Sequence, residues 1–153
     1  MELSIVIPVY DEEENVEPLV NEIKSAVGPL GKGYEIVIVD DGSNDRTFDV
    51  LERMHRQEPR LRVVRLKRNF GQTAALAAGL AHCEGKIVIT MDGDGQNDPA
   101  DIPALLAELD KGNDLVSGWR FSRQDPLISR RLPSTIANLL ISWTTQVKLH
   151  DYG

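Results

Sequence analysis

Apolar, β-branched runs recur along this chain at intervals that a helix would fill. LSIVIPVY (3–10), EIVIVDD (35–41), LRVVRL (61–66) and KIVITMD (86–92) each read as a strand, and DLVSGW (114–119) reads as a fifth. Their apolar residues are mostly continuous rather than alternating, the pattern of strands covered on both faces. After the first run, Asp11 with Glu14 three places on has the form of a helix N-cap, and Val16, Leu19, Val20, Ile23 and Val27 recur at helical spacing. Ser43 caps a second helix carrying Phe48, Leu51 and Met54 on one face, and an alanine-rich helix runs from about Thr73 to Ala81. Asp98 and Pro99 open another in the N-cap and N1 manner, with Ile102, Leu105, Leu106 and Leu109 facing inward. Strand and helix in alternation predict an α/β fold, a mainly parallel sheet with helices on both faces.

A chain of 153 residues that is 41% hydrophobic is enough for one domain and its core. Cys83 is the single cysteine, so no disulfide framework exists. It sits in AHCEG with no His-Asn partner pattern and reads as a half-buried thiol rather than a nucleophile. The chain lacks the basic start and apolar stretch of a signal peptide, and no apolar run approaches the roughly 18 residues of a membrane span. These features point to a reducing, cytoplasmic setting. A net charge of -7 argues against nucleic acid as a partner, because phosphate backbones need clustered Lys and Arg. The charge is uneven, however: residues 118 to 149 carry +4 and the remainder -11.

Open sheets of this kind bind ligands beyond the carboxyl ends of their strands. Three strands end in polar clusters: Pro8, Tyr10 and Glu12 after the first, Asp40 and Asp41 after the second, Asp92, Asp94 and Gln96 after the fourth. Carboxylates converging on one edge repel one another unless a cation lies among them. Carboxylate and amide oxygens suit Mg²⁺ or Mn²⁺, whereas zinc asks for Cys or clustered His, and His55, His82 and His150 are scattered. Other uses of such residues fail on spacing. A calcium loop starting at Asp92 would need Gly and Glu where Asn97 and Pro103 stand. No GxGxxG follows the first strand and no GK[ST] occurs, which removes the dinucleotide and P-loop readings. A phosphoacceptor receiver domain would want a lysine where Gly118, Trp119 and Arg120 stand.

SIVIPVYDEEENV, VIVDDGSNDRT, RNFGQTAALAAGL and MDGDGQNDP, in this order, resemble the family 2 glycosyltransferases of GT-A fold. Within the family the chain is most similar to the branch that moves sugars onto polyprenyl phosphates. The resemblance implies a Rossmann-like GT-A domain, with nucleotide-sugar binding over residues 1–117 and the start of an acceptor-binding part over 118–153. It implies that Pro8, Tyr10, Glu12, Asp40 and Asp41 hold the nucleotide, Asp41 accepting from a base N–H, with Arg68, Asn69 and Gly71 beside nucleotide and sugar. Asp92 and Asp94 correspond to the DxD element and Gln96 to the glutamine of this branch, which together would hold a Mg²⁺ or Mn²⁺ ion against the donor's diphosphate. Asp98 reads instead as a helix cap.

The reacting groups fit the same branch. A sugar hydroxyl as acceptor needs a general base, and between Leu115 and Leu149 the only carboxylate is Asp125. A phosphate monoester, with its second pKa of about 6, is already anionic and needs positive charge instead. Arg131, Ser134 and Asn138 in RRLPSTIAN match the branch's Arg-x-x-Ser-x-x-x-Asn pattern, and Arg120 corresponds to its phosphate-contacting arginine, a catalytic role shared with Asp92 and Asp94. Leu132, Ile136, Leu139, Leu140, Trp143 and Val147 lie at helical spacing, a stripe that serves either core packing or contact with a bilayer surface. Family members continue well past the Asp matched by Asp151, so the resemblance implies either a chain truncated at its C-terminus or an unusually short member. The expected activity is metal-dependent, inverting transfer from a nucleotide sugar, UDP-linked by preference and GDP-linked as the option, to a polyprenyl phosphate at the cytoplasmic face of the membrane. Transfer to a sugar hydroxyl with Asp125 or Asp151 as base, and donor binding without turnover, are the alternatives.

Overall fold

The computed structural model describes residues 1–118. Four strands, β1 (Leu3–Val9), β2 (Tyr34–Asp40), β3 (Leu61–Arg65) and β4 (Ile87–Thr90), form one sheet in the order β3-β2-β1-β4. Every pairing is parallel, with Ile5 opposite Ile36 and Ile89, and Ile38 opposite Val63. The helices are α1 (Val16–Val27), α2 (Thr47–His55), α3 (Gln72–Ala81) and α4 (Ile102–Leu109), the last preceded by a 3-10 turn at Pro99–Asp101. The chain divides into two compact units, Met1–Ala107 and Glu108–Gly153.

Alternation along the strands sorts the core into two layers. Leu3, Ile5, Ile7 and Val9 of β1, with Ile36 and Ile38 of β2, pack with Val16, Leu19, Val20, Ile23 and Val27 of α1 and with Leu51 of α2. Ile102 and Leu106 join the same cluster. The opposite face, with Val6, Val37 and Val39 buried, takes α3, which packs on β1 and β2. That approach is close because Gly79 has no side chain: a Cβ there would stand 2.4 Å from Val6 Cγ1 and 3.0 Å from Val39 Cγ2. Helices on both faces are therefore as the sequence predicts. β4 departs from the expectation of full cover, since α3 lies over β1 and β2 and leaves Val88 exposed.

A buried polar group sits within the α3 layer. Glu35, at 1% exposure, accepts from Ser4 Oγ at 2.6 Å, from the Glu84 backbone N–H at 2.6 Å and from Arg62 Nη1 at 2.9 Å. Ser4 Oγ in turn accepts from the Gly85 N–H at 2.8 Å. This set ties β1, β2, β3 and the turn leading into β4 together. A buried carboxylate is tolerable only when so satisfied.

Three local expectations are corrected. Asp11 does not cap α1, which starts five residues later at Val16 with no side-chain cap; Asp11 takes a left-handed conformation at φ 55° and accepts from the Asn44 N–H. Ser43 does not cap α2, whose first residue is Thr47; its hydroxyl accepts from the Asp11 N–H at 3.0 Å. Both polar side chains have stronger claims on them from the facing loop than from their own helices. Residues 114–118 form no strand, and Leu115 is 82% exposed: two apolar residues do not make a strand where no ladder among the described residues accepts their backbone groups. Asp98 does cap, accepting from the Ala100 N–H at 2.9 Å.

Two outcomes follow for stability. Burial would push the Glu35 carboxyl up, but hydrogen bonds from Ser4, the Glu84 amide and Arg62 outweigh it and hold the group below its usual 4.5. A depressed carboxyl contributes stability above its unfolded value, lost as pH falls through the folded one. Glu35→Gln should thus flatten the fall in stability below pH 4.5 in denaturant titrations, an unchanged slope contradicting this. Gly79→Ala should cost about 1–3 kcal/mol by overpacking, measured in the same titrations.

Candidate donor-binding site

The carboxyl ends of β1, β2 and β4 share one edge of the sheet. After β2, Asp40 is fully buried; its Oδ1 accepts from the Ser43 N–H at 3.0 Å, while Oδ2 makes no hydrogen bond and lies 3.5 Å from Arg65 Nε. Arg65 also stacks over the Phe48 ring at 4.1 Å. Asp41, at 3% exposure, accepts from the Phe70 N–H at 2.8 Å through Oδ1 and from the Gly71 N–H at 2.9 Å through Oδ2. Its carboxylate therefore organises the Arg68–Gly71 turn, a task the sequence did not reveal. Gly42 lets this happen: it stands at φ +70°, and a Cβ on it would fall 2.4 Å from the Arg68 carbonyl carbon.

Tyr10, Gly42, Ser43, Asn44, Arg65, Leu66, Lys67, Arg68 and Asn69 line a cleft of about 650 Å³. Asn44 Nδ2 donates to the Tyr10 hydroxyl at 2.7 Å, joining the loops after β1 and β2 across it. Arg65, Lys67 and Arg68 form its basic wall, with the Arg68 guanidinium 4.9 Å over the Phe70 ring. Such a cleft offers an aromatic face, amide and hydroxyl groups, and positive charge: the needs of a base, a ribose and a phosphate respectively. Tyr10, Arg68 and Asn69 of the expected nucleotide set line it. Asp40, Asp41 and Gly71 lie behind it as support. Glu12 is turned to its own loop, its N–H donating to Thr47 Oγ1 at 2.8 Å and its carboxylate accepting from Asn15.

After β4, Gly93 carries the chain over the end of β1: a Cβ there would lie 2.6 Å from Val9 Cγ1 and 3.2 Å from the Pro8 carbonyl oxygen. Asp92 and Asp94 flank this contact. Asp92 Oδ1 accepts from Gln72 Nε2 at 2.6 Å, and the Asp92 N–H donates to Asn97 Oδ1 at 3.1 Å. Asp94 is exposed, and its Oδ1 accepts from the Gln96 N–H at 3.0 Å.

The convergence of many carboxylates on this edge is not found. Among the described residues no three Asp, Glu, His or Cys side chains group as a metal site. Glu12, Asp40 and Asp41 are occupied by the loops they organise, which leaves Asp92 and Asp94. Two carboxylates are nonetheless a fitting set for Mg²⁺ or Mn²⁺, which are bound through one or two carboxylates with substrate phosphates completing the shell. Arg120, Arg131, Ser134 and Asn138, with Asp125, Trp143 and Asp151, lie outside the described residues. Sequence reasoning missed Asn44, Arg65, Lys67 and Gln72; the first three could have been sought in the polar run after VDD and the basic run before RNFG.

Comparison with known proteins identifies the family. The model for glycosyl transferase family 2 matches residues 4–152. A dodecaprenyl-phosphate galacturonate synthase of Rhizobium johnstonii is 47% identical over 100% of this chain and 46% of its own length. An undecaprenyl-phosphate 4-deoxy-4-formamido-L-arabinose transferase of Pseudomonas fluorescens is 45% identical over 99% of this chain and 44% of its own. The chain thus spans under half the length of these relatives. The solved structure of a Pyrobaculum calidifontis mannosyltransferase in complex with GDP-Man and Mn²⁺ is similar over 67% of this chain and 30% of that one, with 28% identity and a TM-score of 0.59.

Asp41→Ala should release the Phe70 and Gly71 amides, which amide hydrogen exchange would register as faster exchange at those two positions. Two hydrogen bonds to a charged acceptor are at stake, so stability should fall by about 2–4 kcal/mol. Unchanged protection at Phe70 and Gly71 would contradict the role given to Asp41.

Proposed function

The chain belongs to glycosyl transferase family 2, and we propose that its residues 1–117 build the donor half of a metal-dependent transfer of a sugar from a nucleoside diphosphate to a polyprenyl phosphate. The observation that carries this reading is the adjacency of cleft and carboxylates. Asn69 lines the cleft, and Gln72, three residues on, donates to Asp92. Three residues span at most about 11 Å between Cα atoms, so the cleft's Asn69 and the side chain that meets Asp92 lie on one short segment. A nucleoside seated between Tyr10 and the basic wall would therefore extend its phosphates toward Asp92 and Asp94.

Each group has a part in this scheme. Tyr10 offers an aromatic face to the base, and Asn44 holds the Tyr10 hydroxyl. Lys67 and Arg68 supply positive charge to the phosphates. Asp92 and Asp94, with Gln96 beside them, would hold Mg²⁺ or Mn²⁺, whose chemistry is to neutralise charge on the departing diphosphate. An acceptor phosphate oxygen attacks the anomeric carbon, the bond from that carbon to the donor's β-phosphate oxygen breaks, and the nucleoside diphosphate leaves with inversion. Phosphate needs no general base at neutral pH, and Arg120, Arg131, Ser134 and Asn138 are the residues assigned to it.

The resemblance favours a UDP sugar over a GDP sugar. A lipid phosphate acceptor supports a place at the membrane, and this reading puts the protein at its cytoplasmic face. Among the described residues no helix is long and apolar enough to cross a membrane.

Because only two carboxylates are available, the cation should bind weakly alone and tightly once a diphosphate completes its shell. In thermal-shift measurements UDP with Mn²⁺ should raise Tm more than the separate shifts combined, and Asp94→Asn should remove most of that excess. An undiminished excess in Asp94→Asn would refute the metal assignment.

A further inference from the structure

Gln72 belongs to neither the cleft nor the carboxylate pair, yet it connects them. It is the first residue of α3, and the Gly71 before it, at φ 91°, has its N–H held by both Asp41 Oδ2 at 2.9 Å and Asn69 Oδ1 at 3.0 Å. The backbone that carries Gln72 is thus clamped from β2. From there the side-chain amide reaches Asp92 Oδ1 at 2.6 Å, on the far side of β1 in strand order. Among the described residues Asp92 Oδ2 makes no hydrogen bond.

We propose that Gln72 is a positioning residue that holds one oxygen of Asp92 so that the other is kept for a divalent cation, coupling cation affinity to the order of the nucleotide cleft. The inference rests on the metal reading of Asp92 and Asp94 given above. An amide suits the task because it donates to a carboxylate without bringing charge. A lysine or arginine at this distance would give a stronger ion pair and repel the cation. Hydrogen bonds behind a metal-binding carboxylate fix its orientation, and their loss typically lowers metal affinity by about 10–100-fold. The route from Asn69 through Gly71 and Gln72 to Asp92 also makes the coupling reciprocal: a nucleotide that orders the turn improves the cation site, and the cation improves nucleotide affinity by the same factor.

The test is a titration of MnCl₂ into the protein, with and without saturating UDP, following free Mn²⁺ by its EPR signal. Gln72→Met keeps the length of the side chain and removes the donor; Gln72→Ala removes both. In the presence of UDP each should weaken Mn²⁺ binding about 10-fold, while UDP affinity measured without metal and the Tm of the unliganded protein stay at wild-type values. A purely structural role would instead move Tm or metal-free UDP binding. Wild-type Mn²⁺ affinity in both Gln72 variants, together with its loss in Asp92→Asn, would overturn the role of Gln72 and leave the metal reading standing. Wild-type affinity in Asp92→Asn as well would overturn both.

Discussion

The Asp41 carboxylate, accepting from two successive backbone amides at Phe70 and Gly71, is the contact on which the rest of this edge depends. It converts the end of β2 into the anchor for a turn that would otherwise be an exposed loop after β3. With the turn in place, Arg68 and Asn69 become a wall of the cleft and Gln72 begins α3 at the point from which it reaches Asp92. Both amides are donors with no partner in secondary structure, so the carboxylate satisfies them and fixes the turn at once. Gly42 is the complementary requirement, since any side chain there would strike the Arg68 backbone.

The opposite end of the sheet holds a different kind of polar contact. Glu35, Ser4, Arg62 and the Glu84 and Gly85 amides satisfy one another in a nearly closed set, with no group left over for a ligand. At the carboxyl edge, by contrast, Asp94 stands exposed and Asp92 is only partly buried. A satisfied cluster holds strands in register, whereas an incompletely satisfied one has capacity for a ligand. That contrast, rather than the number of acidic residues, distinguishes the two ends.

Much of the fold was legible because its signals are local. β1 to β4 fall within a residue or two of the apolar runs, and the five α1 residues picked by helical spacing are its five buried ones. Helix starts were harder. Asp11 and Ser43 have cap chemistry, but each is used by the loop facing it, a long-range choice invisible to a window of neighbours. DLVSGW has strand composition, yet 114–118 is not a strand, because a ladder needs a partner and composition does not supply one. In the candidate site, the DDG and DGDG clusters follow β2 and β4, at the edge the strand pattern pointed to. Their division of labour was not legible: Asp41 faces backbone amides and Asp92 faces an amide side chain, both contacts made across 20 or more residues of sequence.

The central claim is that one diphosphate joins the cleft between Tyr10 and Asn69 to a cation at Asp92 and Asp94. Crystals grown with UDP and MnCl₂, measured at the manganese edge, test it directly. The account predicts an anomalous peak about 2.0–2.3 Å from an oxygen of Asp92 or Asp94, touching the diphosphate, with the uracil beside Tyr10. A nucleotide bound in that cleft with no manganese at either aspartate, or manganese held elsewhere, would contradict it.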